Sequence, residues 1–203
     1  MATRVRTADA ARWRRRLSPI LRLEEFVSVR SRRADLPRLQ GLLAIGPETH
    51  LLDIGGGTGG LAAPFAREGA RVIVLEPNPR KVAYGRDRHE HVEFVEGRGE
   101  KIPFPDQSFD RAIAMFSFHH VEDPDAVLEE VRRVVRPSGR FLLQEFHPSA
   151  APGRLARLLA GRNHAGVHTF FAPEELRATL EAHGFRDVSI HAAKRGYFIV
   201  AVR

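Results

Sequence analysis

Five of the eight residues Asp53-Ile54-Gly55-Gly56-Gly57-Thr58-Gly59-Gly60 are glycine, and they stand between a short apolar run and a helical one. Positions without a side chain let the backbone turn tightly and let a ligand approach it. Residues 50–54 read as the strand entering this turn. Residues 61–68 read as the helix leaving it, with Pro64 in the first turn or kinking it. The N–H groups at such a helix start lack intrahelical partners and point towards whatever lies over the turn. Residues 71–76, Arg-Val-Ile-Val-Leu-Glu, form the clearest buried strand, and Glu76 ends it 21 residues after Gly55. A carboxylate at that place can accept hydrogen bonds from both hydroxyls of a ribose. The constellation therefore predicts a ligand site at the carboxyl ends of adjacent strands.

Gly55, Gly57 and Gly60 also satisfy G-x-G-x-x-G, the spacing of dinucleotide sites. Asp53 argues against that reading. A carboxylate two residues before the first glycine would repel a pyrophosphate and attract the ammonium of an amino-acid moiety. S-adenosylmethionine has that ammonium and no phosphate.

The rest of the chain alternates strands and helices. Asn78 can cap a helix that starts at Pro79 and runs to about residue 88, and 92–95 is a third strand. A loop with Pro103 and Pro105 precedes a fourth strand, 109–116. Asp123 caps a helix over 124–135 whose apolar positions are Val127, Leu128, Val131, Val134 and Val135. Pro137-Ser138-Gly139 predicts a turn and 140–146 a fifth strand. Residues 147–172 are irregular, with one short helix near 155–159, and 173–183 is a helix stopped by Gly184. Residues 188–191 and 197–202 pair as a closing hairpin. At the other end, helices over 8–17 and 19–30 stand in front of the sheet, and 35–44 packs onto it. Strands separated by helices imply a parallel sheet covered on both faces, and two strands in succession imply an antiparallel edge.

Charge divides the 203 residues unevenly. Residues 1–40 hold 11 Arg against Asp9, Glu24, Glu25 and Asp35, whereas the remainder holds 21 basic and 21 acidic side chains. The whole formal charge of +7 therefore lies in an N-terminal arm, densest at Arg12, Arg14, Arg15 and Arg16. Such an arm can meet the phosphates of RNA or lipid, or an acidic substrate, or remain a solvated face. Without cysteine there is no disulfide, thiolate metal site or thiol nucleophile. No run approaches the roughly 20 apolar residues of a membrane span, no secretory signal is visible, and a cytoplasmic location is expected. Residues 1–34 are read as a basic arm or cap helices and 35–203 as the ligand-binding domain, with 147–172 an insert on the acceptor side.

The chain resembles the class I S-adenosylmethionine-dependent methyltransferases, of the small-molecule type that includes quinone and lipid methylating enzymes. LLDIGGGTGGLA resembles the family's first motif and VIVLEPNP its second. GRGEKIPFPDQSFDRAIAMFSFHHVEDP resembles the approach to the fourth strand, and VRRVVRPSGRFLLQE the helix, turn and fifth strand. The resemblance implies a Rossmann-like, doubly wound α/β fold: seven strands, mostly parallel, with an antiparallel edge hairpin. It implies S-adenosylmethionine as cofactor, with Asp53, Gly55 and Gly57 around the methionine part and Glu76 on the ribose. It places Pro77 and Asn78 beside the adenine, Gly99 and Glu100 on its other side, and Phe116 at the sulfonium end. One position departs from the family's G-D-A-E. Here the chain reads Gly97-Arg98-Gly99-Glu100, and Arg98 cannot accept a hydrogen bond from the adenine amino group.

His119-His120 follow strand four and His147 follows strand five, so His120 and His147 are the candidate general bases, if the acceptor must lose a proton. The competing reading is that His120 shapes its loop. His164 and His168 suggest no metal site, since Gly166 lies between them. Trp13, Phe26, Phe170 and Phe171 could close an apolar acceptor pocket or simply pack. The function expected is methyl transfer to a small molecule by in-line displacement. An RNA methyltransferase using the arginine arm, or a non-catalytic cofactor binder, are the alternatives. Phe116-Ser117-Phe118-His119-His120 lacks the Pro-Pro-aromatic signature of base amino-group methylation.

Overall fold

The computed structural model describes residues 7–148, 170–194 and 196–203, with side chains from residue 19 onward. Seven strands form one sheet: β1 (His50–Ile54), β2 (Arg71–Glu76), β3 (Val92–Glu96), β4 (Phe109–Met115), β5 (Val135–Glu145), β6 (Arg186–Ala192) and β7 (Tyr197–Val202). Their order is β3-β2-β1-β4-β5-β7-β6. The first five are parallel, whereas β7 runs antiparallel to both β5 and β6. This is the mostly parallel sheet with an antiparallel edge that the sequence predicts. The strand order reverses at β1, so the crevice between β1 and β4 is the place where such sheets hold ligands.

The helices are α1 (Thr7–Arg32), α2 (Leu36–Leu43), α3 (Ala63–Arg67), α4 (Pro79–Arg88), α5 (Pro124–Val134) and α6 (Pro173–Ala182). Two begin as the sequence dictates. Asn78 Oδ1 accepts from the Arg80 N–H at 3.0 Å, and Asp123 Oδ1 from the Ala126 N–H at 3.1 Å, each with proline as the first helical residue. α5 buries Val127, Leu128, Val131 and Val134 on one face, joined there by Leu176 and Leu180 of α6. The opposite face of the sheet is covered by Leu39 and Leu43 of α2, Phe65 of α3 and Val82 of α4. Apolar residues of β1 alternate between these layers, Leu51 to one and Leu52 to the other.

Two elements differ from expectation. α1 runs unbroken through Pro19, where two helices are predicted. Proline lacks one N–H and crowds one carbonyl, which weakens a turn of helix without forcing an end. β5 starts five residues early and contains the predicted turn. Its pairing with β4 jumps from Phe109↔Val135 to Arg111↔Arg140, so Pro137-Ser138-Gly139 bulges out, with Ser138 at φ +62°. The predicted helix near 155–159 lies outside the described residues, as do His164 and His168.

Candidate active site

The crevice is built by close approach of two backbones. Gly55 donates its N–H to the Leu75 carbonyl at 2.7 Å and has φ +69°. A Cβ on it would lie 2.6 Å from Cβ of Ser117, whose hydroxyl donates to the Ile54 carbonyl at 2.7 Å. Glycine here lets the ends of β1 and β4 meet. Gly57, at φ +62°, is different: a Cβ there would meet nothing nearer than the Lys81 side chain at 4.0 Å. Its missing side chain leaves open space over the turn, as a ligand cradle requires.

Two carboxyl groups flank that space. Glu76 is buried at the end of β2, where Oε2 accepts from the Gly57 N–H and Oε1 from the Asn78 N–H, both at 3.0 Å. The turn thus fixes the carboxylate's orientation, while each oxygen keeps lone-pair capacity for another donor. Burial raises its pKa above the usual carboxylate range, and these two N–H donors and Lys81 oppose the rise. Asp53 is almost fully buried, and neither of its oxygens has a hydrogen-bond partner. Burial, reinforced by the negative charge of Glu76 and opposed by Arg32, pushes it up to about 7. An orphaned buried carboxyl is costly and is best explained by a donor or cation that arrives with a ligand.

The far wall is aromatic. Phe116 directly follows β4 at φ +54°, a region that bulky side chains enter only when their surroundings hold them there. Its N–H donates to the Gln144 carbonyl at 2.7 Å. Its ring packs on Phe146 at 4.3 Å, and the Arg32 guanidinium sits 4.3 Å over it. Beyond Phe116 the buried ring of His119 stacks on Phe170 at 5.2 Å. His119 Nδ1 lies 2.6 Å from Oε2 of buried Glu145, whose Oε1 accepts from the N–H groups of Phe118 and His119 at 2.9 and 3.3 Å. A neutral ring that donates Nδ1–H to Oε2 carries its lone pair on Nε2.

His120 and His147, the predicted bases, are both exposed; the His120 ring lies 4.0 Å from that of His119. The His119–Glu145 pair is not among the residues predicted from sequence. A signal was available in the acid that ends the otherwise buried run Leu142-Leu143-Gln144-Glu145. Pro77 is exposed beside Asn78, whose side chain is committed to capping α4. Gly99 is buried, and a Cβ there would press Ile54 and Val127 at 3.1 and 3.2 Å. Glu100 accepts from the Glu122 N–H at 3.0 Å, and Arg98 pairs with Glu122 at 2.5 Å and with Glu100 at 3.7 Å. Arg98 therefore ties the loop after β3 to the loop after β4, and Glu100 is part of the same clamp.

Residues 52–143, from β1 into β5, match the methyltransferase domain family. Over that stretch the chain is similar to methyltransferase domains. Over 111 residues the chain is 37% identical to the ubiquinone/menaquinone biosynthesis C-methyltransferase UbiE of Hahella chejuensis, covering 50% of this chain and 45% of that protein. It is 36% identical over 109 residues to the demethylmenaquinone methyltransferase of Streptomyces avermitilis, covering 53% and 47%. The chain thus spans about half the length of the curated relatives it matches. A solved S-adenosylmethionine-dependent methyltransferase from Aquifex aeolicus superposes with a TM-score of 0.66 over 83% of this chain and 89% of that one, at 20% identity. That likeness is one of fold.

The crevice fits S-adenosylmethionine on structural grounds. The orphaned Asp53 carboxyl suits an ammonium, the braced Glu76 carboxylate suits a pair of hydroxyls, and the space over Gly57 suits a chain passing between them.

Proposed function

We propose that the chain binds S-adenosylmethionine over Asp53–Gly57 and transfers its methyl group to a small, apolar acceptor of the quinone-precursor kind. The observation that carries this reading is the buried, unpartnered Asp53 carboxyl beside a Glu76 carboxylate held by Gly57 and Asn78. The names of the curated relatives support the acceptor class. The cofactor supplies a methyl group on a sulfonium whose departure as a neutral thioether makes transfer a single displacement.

The protein's own work is binding, alignment and exclusion of water. Asp53 holds the ammonium and Glu76 the ribose hydroxyls, with Gly55 and Gly57 admitting the methionine portion. Pro77 and Asn78 border the adenine on one side and Gly99 on the other. Glu100 and Arg98 hold the loop rather than the base. Phe116 and Phe146 keep the sulfonium end dry. His119, aligned by Glu145, takes the acceptor's proton at Nε2, in place of the predicted bases His120 and His147. Those two line the acceptor side. A carbon or hydroxyl acceptor that loses a proton on methylation would use this pair; one that keeps its proton would not.

Methyl-labelled S-adenosylmethionine with a panel of hydroquinones and phenols tests the reading. His119→Gln should lower kcat by about 10²–10³ on an acceptor that turns over and leave S-adenosylhomocysteine affinity within about twofold. An equal loss in His120→Gln with none in His119→Gln would return the role to His120.

A further inference from the structure

α1 turns one face to the domain and carries an apolar face on its other side. On one side Leu21 is buried, and the half-buried residues Glu25, Ser28, Val29 and Arg32 face the domain. Glu25 lies 3.3 Å from His89 and 3.4 Å from Arg88, and Lys81 pairs with Glu24 at 2.5 Å. A Cβ on Gly60 would touch Val29 and Glu25 at 2.9 and 2.8 Å, so α1 lies directly against the glycine turn. On the other side Ile20, Leu23, Phe26 and Val27 are between 56% and 63% exposed. No other large hydrophobic residue among the described ones is so exposed. At about 100° per residue these four fall within an arc of about 120° on the helix surface. A single exposed leucine is ordinary, but four adjacent ones on one face mark a surface that is covered in use.

The charge around this face says what covers it. Arg22 and Arg30 are exposed and flank Phe26 on the helix, and Arg33 is exposed just beyond. The arm over residues 1–40 carries +7 while the rest of the chain is formally neutral. A second copy would have to bring an equally charged arm against the first. An RNA would answer the arginines and leave the aliphatic side chains in water. An anionic lipid surface answers both at once: phosphates meet the guanidinium groups, and the apolar side chains enter the headgroup–acyl boundary.

We propose that α1 is an interfacial helix that docks the protein on anionic bilayers through Ile20, Leu23, Phe26 and Val27, with the arm's arginines on lipid phosphates. Because Arg32 covers Phe116 and Val29 abuts Gly60 on the opposite face of the same helix, docking holds the crevice one helix diameter, roughly 10 Å, from the membrane surface. An acceptor that partitions into lipid is then concentrated beside the site. That consequence rests on the methyl-transfer reading; the docking itself does not.

Vesicle flotation tests it, comparing phosphatidylglycerol and phosphatidylcholine in equal parts with phosphatidylcholine alone, at about 0.1 M salt. The full chain should float with the anionic vesicles and at least about tenfold less with the neutral ones. The triple variant Leu23→Glu, Phe26→Glu, Val27→Glu should partition roughly 100-fold more weakly. Its melting temperature and S-adenosylhomocysteine titration should match the wild type, since these side chains touch no core. Arg22→Gln with Arg30→Gln should reduce the preference for anionic vesicles. Any of three results overturns the proposal: wild type that stays with neither vesicle, a triple variant that floats as well as wild type, or a wild-type dimer in light scattering that the triple variant dissolves. S-adenosylhomocysteine binding reports separately on the proposed function, so either idea can fail alone.

Discussion

Asp53 is kept out of water with neither oxygen bonded, and its pKa near 7 makes that arrangement pH-dependent. In the unfolded chain the group ionises near 3.8, so between about pH 4 and pH 7 the folded state holds a proton that the unfolded state has released. Stability from this residue is therefore greatest below about pH 4 and declines as pH rises to about 7. Asp53→Asn removes the penalty: urea titration should show it more stable than wild type by up to about 4 kcal/mol near pH 8, and little changed near pH 4. The ionised form is the one that holds an ammonium. S-adenosylhomocysteine affinity of the wild type should thus rise about tenfold between about pH 6 and pH 8, and Asp53→Asn should bind weakly with that rise abolished. Glu76→Ala should lose at least about 100-fold in the same titration while still folding, with a melting temperature lowered by the loss of its two backbone hydrogen bonds. Retained affinity would remove Glu76 from the ribose. The sequence exposed both carboxylates because their spacing from the glycines is local. It hid the His119–Glu145 pair because the partners are 26 residues apart and meet only when β4 and β5 lie side by side. Sequence periodicity reports which face a residue takes, and says nothing of which side chain it meets there.

Elements with their own start signals were legible from sequence. α4 and α5 begin at Asn78 and Asp123 because short polar side chains satisfy the first free N–H groups, and β2 is a continuous apolar run. Asp123→Ala should cost about 1 kcal/mol in urea unfolding, a direct reading of that cap. Elements whose limits are set by tertiary pairing were not legible. Nothing in Pro19 says that α1 continues through it while packed against α4, and nothing in Pro137-Ser138-Gly139 says that pairing with β4 resumes after a bulge. The glycine turn sits between these cases. Gly59, at φ +78°, leaves room for Phe94, whose Cζ would be 2.5 Å from an added Cβ. Gly59→Ala should cost roughly 1–3 kcal/mol in thermal unfolding, with cofactor affinity falling in step as the turn is displaced from Phe94.

For the whole molecule, binding to the folded state alone raises stability by mass action. S-adenosylhomocysteine at about 100 times its Kd adds about 2.7 kcal/mol, a rise of about 5–10 °C in melting temperature for a chain of this size. NADH should leave the melting temperature unchanged, because its pyrophosphate would face Asp53 and Glu76. A shift with NADH alone would reverse the assignment of the turn.

The place of β7 has a consequence for how the chain is made. β7 is the last strand in sequence, yet it lies inside the sheet, paired on one side with β5 and on the other with β6. At about 5–20 residues per second, a ribosome needs roughly 3–10 s to pass from the end of β5 to β7. Throughout that interval the edge carrying Phe141, Leu142 and Leu143 lacks β7, its neighbour among the described residues. A nascent chain paused there presents a bare, apolar strand to its neighbours on the polysome. The hazard of misassociation during synthesis is concentrated at that edge, and it ends when residues 197–202 slide into place.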